Sequence, residues 1–73
     1  MSKTIFSKDH KNLIEKLKKA RLDVGLSQKQ VSEMLGRTQS YISKLESRQR
    51  RIDVVQLKEL ARIYKKTIDY LLN

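Results

Sequence analysis

The chain has 73 residues, with 17 Lys and Arg against 8 Asp and Glu, a formal net charge of +9 and a pI of about 10.1. At this length a fold buries only about 60% of its unfolded surface and supports one simple core, and 38% hydrophobic residues with no proline and two glycines point to an all-α domain rather than a β-sandwich or barrel. The absence of cysteine excludes a disulfide framework and a thiolate metal site, and neither a membrane-spanning run of about 18 apolar residues nor the apolar core of a signal peptide is present.

The first eight residues, MSKTIFSK, show no hydrophobic period and read as an arm ahead of a single domain over 9–73. Such an arm is either disordered or enters a minor groove. Ser7 or Asp9 can cap a first helix, with Phe6 stapling its start. Its apolar stripe is Leu13, Ile14, Leu17, Ala20, Leu22 and Val24, and Lys11, Lys16, Lys18 and Lys19 fall largely outside it. Gly25 ends this helix, and a two-residue connection leads to Ser27.

Ser27 and Gln30 form a Ser-x-x-Gln capping box, so a second helix starts at Gln28. Val31 and Leu35 share one face with Met34 beside them, and Gly36 supplies the left-handed backbone that stops the helix. Arg37 or Thr38 opens a third helix. Ile42 and Leu45 point one way, while Gln39, Ser40, Ser43 and Lys44 point elsewhere. The outward groups are amides, hydroxyls and ammoniums, the donors and acceptors that match base edges in a DNA major groove.

After Glu46 the chain reads SRQRRI, with three arginines in four residues. Asp53 and Gln56 make a second box, and Val54, Leu57, Leu60, Ala61 and Tyr64 form the inner face of a fourth helix. Thr67 caps a last short helix that contains Ile68, Tyr70, Leu71 and Leu72.

Residues 27–46 resemble the helix-turn-helix of the phage-repressor family of DNA-binding domains, the lambda Cro and repressor type. Gly36 stands at the turn, a small residue (Ser32) lies four before it, and Val31, Leu35, Ile42 and Leu45 fill the apolar places. Ser32 stands where the family usually has alanine, and Arg37 where it usually has an aliphatic residue, which must then point outward. The resemblance covers about nine tenths of the chain and implies a five-helix lambda-repressor-like domain, with the recognition helix over about 38–47. It implies an ion pair between Arg21 and Glu46. It also places Arg48 and Lys65 where relatives often have glycine in a left-handed conformation; arginine there costs about 1 to 2 kcal/mol, unless the helix extends or the turn shifts.

What the resemblance implies for binding follows position by position. Gln39, Ser40 and Lys44 match the base-reading places, with glutamine suited to adenine and lysine to guanine. Gln28, at the start of the second helix, matches the phosphate-binding place. Beside the resemblance, Lys29, Arg37, Ser47, Arg48, Arg50 and Arg51 cluster around the recognition helix, which reads as phosphate contact for the group although each cation alone could be a solvated one; Thr38, Tyr41 and Ser43 are further phosphate candidates, with Tyr41 either reaching a phosphate or packing on the second helix.

A charge of +9 wants a polyanion, and counterion release makes each cation–phosphate contact favourable and salt-sensitive. Nucleic acid is therefore the first partner to consider, and the resemblance implies the rest: a cytoplasmic, bacterial or phage-encoded regulator of transcription, associated with the nucleoid, that binds double-stranded DNA as a homodimer on a pseudo-palindromic operator, with no membrane or small-molecule ligand expected. Candidates for the dimer contact are Ile68, Tyr70, Leu71 and Leu72, with Ile5 and Phe6. His10 is the sole histidine and no constellation around it suits catalysis, a metal or a cofactor. The competing reading is a protein-binding adaptor or antitoxin-type module on the same fold. An exposed apolar patch on the reading face would mark that alternative.

Overall fold

The computed structural model describes residues 8–72. Five helices follow one another: α1 Lys8–Asp23, α2 Gln28–Leu35, α3 Gln39–Glu46, α4 Val54–Tyr64 and α5 Ile68–Leu72. The described residues contain no strand, so the described fold is all-α. The arm expected over 1–8 lies outside the described residues except for Lys8, which opens α1. The Ser7 cap, Ile5 and Phe6 lie outside them too.

Short polar side chains start the helices. Ser27 accepts from the Gln30 amide while the Gln30 side chain accepts from the Ser27 amide, both halves of the box. Thr38 accepts from the Tyr41 amide, Asp53 from Gln56 and Thr67 from Tyr70. At Asp53 only half of the expected box forms, because the Gln56 side-chain amide donates to Glu59 instead.

The helix ends share one device. After α1, α2, α3 and α4, residues 25, 36, 48 and 65 take positive φ. The amide of each donates three residues back, and the next amide donates five back, as in Gln49 to Lys44 and Lys66 to Ala61. This double closure is the Schellman motif. Two of the four residues are glycine; the other two are Arg48 (φ 64°) and Lys65 (φ 59°). The chain thus neither extends α3 nor shifts the turn, and it carries strain of about 1 to 2 kcal/mol at each cation.

Ile14, Leu17, Ala20, Val31, Tyr41, Ile42, Leu45, Leu57, Leu60, Ala61, Tyr64 and Leu71 close one core. Two residues assigned to inner faces, Leu22 and Val54, prove to be exposed, as does Met34 beside the Val31–Leu35 face. Leu22 stands about 200° around α1 from Ala20, and its neighbour Arg21 is buried in its place. Met34 lies to one side of the Val31–Leu35 stripe, and Val54 is the first residue of its helix, ahead of the packed turns. α2 and α3 pack on each other, α1 and α4 support them, and α5 packs on α1 and α4 but on neither α2 nor α3.

Candidate nucleic-acid interface

The position of α3 follows from its two faces. Tyr41, Ile42 and Leu45 are buried, whereas Gln39, Ser40, Ser43 and Lys44 are exposed. The core therefore fixes the helix by one side and leaves its polar side to solvent, with the first amides of the helix pointing outward beyond the Thr38 cap.

A buried polar knot fixes the far end of α3. Arg21 donates from Nε to Glu46 Oε2 at 2.8 Å and from a terminal nitrogen to Glu46 Oε1 at 3.1 Å. Its other terminal nitrogen donates to the Leu26 carbonyl at 2.8 Å. The Glu46 bond holds the Arg21 guanidinium above its ordinary pKa despite burial. Gln28 Nε2 donates to the same Glu46 Oε1 at 3.1 Å. One carboxylate thus ties the end of α1 and the start of α2 to the end of α3. Tyr64 is buried beside it, and burial, then the Glu46 charge, push its hydroxyl well above the ordinary tyrosine range.

The sequence placed Gln28 at a phosphate and did not foresee its bond to Glu46, which commits one amide hydrogen and leaves the other. Ser47 is similarly engaged: its hydroxyl donates to the Lys44 carbonyl and accepts from the Gln49 side chain. Thr38 uses its oxygen as the α3 cap and retains its hydroxyl hydrogen.

Tyr41 packs inward, and two guanidiniums lie over its ring, Arg37 at 5.0 Å and Arg50 at 4.3 Å from the centroid. Burial raises the Tyr41 hydroxyl above its ordinary pKa; Arg50 and Arg37 pull it back, and Asp53 and Glu59 add to the rise. Arg37, Lys29, Lys44, Arg48, Arg50 and Arg51 are all exposed. Among the described residues no carboxylate comes within ion-pair distance of Lys29, Arg37, Lys44, Arg48 or Arg50.

The helix-turn-helix family model matches residues 17–71, from the middle of α1 into α5. The chain belongs to the Cro/C1-type helix-turn-helix family. As a member of this helix-turn-helix family it is a DNA-binding domain of the transcription-regulator type, and α2, Gly36 and α3 are its helix-turn-helix. Comparison with curated proteins finds no match. Among the described residues of this family member, no helix is long and apolar enough to cross a membrane, and no group of three or more His, Asp or Glu could hold a metal ion.

Proposed function

We propose that the protein is a sequence-specific, double-stranded DNA-binding regulator that acts by occupying an operator, with α3 in the major groove. The observation that carries this reading is the outer face of α3. Gln39, Ser40 and Lys44 stand free of the core on a helix held rigidly from behind, close to Lys29, Arg37, Arg48 and Arg50, which are exposed and, among the described residues, have no carboxylate within ion-pair distance. Gln39 offers a bidentate amide to adenine, Lys44 donates to guanine O6 or N7, and Ser40 adds a less selective contact.

Phosphates on either side take the remaining roles. The free amides at the start of α2, the second Gln28 N–H and Lys29 serve one strand; Thr38, Ser43, Ser47, Arg48 and Arg51 serve the flanks of the groove, together with Arg37 and Arg50 at Tyr41. The outer face of α3 carries no exposed large hydrophobic residue; those of the described chain are Leu22, Met34, Val54, Val55 and Leu72. That favours DNA over the adaptor or antitoxin reading, which needs an apolar contact there.

The operator is a pseudo-palindrome read by a homodimer, with half-sites about 34 Å apart. Leu71 is buried and Ile68 and Tyr70 are packed against the core, so Leu72 is the remaining C-terminal candidate for the contact. Val54 and Val55, both exposed after the arginine loop, offer a second apolar surface. Dimerisation is weak in solution and completed on DNA.

Selection of binding sites from a random duplex pool at about 150 mM salt, where purely electrostatic binding is weakened, tests the reading. Enrichment of a two-fold-symmetric motif is the expected result. A pool that stays random would remove sequence reading and bring the adaptor forward.

A further inference from the structure

We infer that Tyr41 is the platform of a two-arginine phosphate clamp, on which Arg37 from the turn and Arg50 from the α3–α4 loop are pre-ordered to grip one DNA backbone phosphate. The inference rests on the DNA-binding reading and assigns Tyr41 a role as a positioning residue rather than a phosphate ligand.

Tyr41 is only 6% exposed, so its ring is fixed by the core and cannot swing out to a phosphate. Its place is set by α3, whereas Arg37 lies between α2 and α3 and Arg50 lies beyond α3, 13 residues later in the chain. Their guanidiniums converge on the ring at 5.0 and 4.3 Å, each held by attraction to the aromatic quadrupole. That attraction holds two like charges within 5.0 Å of one ring centre. Asp53 and Glu59 are near enough to act on the Tyr41 hydroxyl, yet neither pairs with either arginine. Among the described residues, therefore, no carboxylate is ion-paired with either guanidinium, and an arginine fork is well matched to phosphate oxygens.

Pre-ordering has a measurable consequence. Two long side chains that would otherwise lose their freedom on binding are already restrained, so the pair acts as a unit and its members are coupled. Removing either arginine leaves a half-clamp, and removing the second then costs little more.

The test is binding of the full chain to its selected duplex across a salt series, for wild type, Arg37→Ala, Arg50→Ala, the double variant, Tyr41→Phe, Tyr41→Leu, and Tyr41→Leu combined with the double variant. Each single arginine loss should weaken binding roughly tenfold and flatten the log–log salt slope by about 1. The double variant should fall well short of the product of the two. Tyr41→Phe keeps the ring and should stay within about twofold, whereas Tyr41→Leu should match a single arginine loss, weaken selected and random duplexes alike, and add nothing in the double-arginine background. Should Tyr41→Leu fail to show the wild-type helical circular dichroism, the arginine cycle and Tyr41→Phe decide. Multiplicative arginine effects with normal wild-type binding would overturn the clamp alone. A wild-type chain that binds no duplex would overturn the clamp and the DNA-reading proposal together.

Discussion

Tyr41 and Tyr70 each lie beneath two cations, and the two sites differ in how the charge is met. At Tyr70, Lys16 and Lys66 approach the ring at 4.7 and 4.9 Å, but Lys16 also donates to the Tyr70 carbonyl and Lys66 pairs with Asp23 at 3.7 Å. That cluster joins α1 and the α4–α5 connection to α5, which touches neither α2 nor α3. At Tyr41, among the described residues, no carboxylate lies within ion-pair distance of either guanidinium. The net charge of +9 is thus unevenly committed. Around α1, α4 and α5 some cations are structural ties, and beside α3 they remain available to an outside anion.

The strongest way to sharpen this contrast is to break the most fully committed cation. Glu46→Ala leaves the Arg21 guanidinium beside the core with no carboxylate and frees Gln28 as well. It should destabilise the fold by about 3 to 5 kcal/mol, read from denaturant unfolding. A loss under about 1 kcal/mol would reduce the pair to an ordinary surface bridge. Next in size come the reading residues. Gln39→Ala and Lys44→Ala should leave stability within about 0.5 kcal/mol while each removes ~1 to 3 kcal/mol of preference for the selected site over random DNA. Equal weakening on both DNAs would mean that α3 does not read bases.

The sequence shows why the two regions differ in legibility. The starts of α2, α3, α4 and α5 were readable because Ser27, Thr38, Asp53 and Thr67 are short polar residues, each able to take the amide three residues on. The outward set on α3 was readable because Ile42 and Leu45 mark the inner side. The faces of α1 and α4 were less so: Leu22 and Val54 are apolar yet lie off the buried stripe, and residue type outweighed angle in assigning them. Neither the Gln28–Glu46 bond nor the Tyr41 cluster has a local signal. Residues 28 and 46 meet only after α2 and α3 pack, and Arg50 meets Tyr41 across the turn after α3, where Arg48 adopts positive φ. Arginine is a poor predictor of that geometry.

Arg48 and Lys65 permit the finest test, because they share a backbone and differ in surroundings. Both close a helix with the same pair of hydrogen bonds at nearly the same φ. Replacing either by glycine removes strain of about 1 to 2 kcal/mol and restores about 0.5 to 1 kcal/mol of chain entropy to the unfolded state. Each variant should therefore gain roughly 0.5 to 1 kcal/mol, seen as a melting temperature a few degrees higher. Their effects on DNA should part company. Arg48→Gly should weaken binding to every sequence and lower the salt slope by about 1, while Lys65→Gly, at the end of α4, should leave affinity within about twofold. The two residues share their strain and differ in place, Arg48 following the recognition helix and Lys65 following α4. Equal DNA binding by the two variants would show that the Arg48 side chain does not act on the DNA backbone.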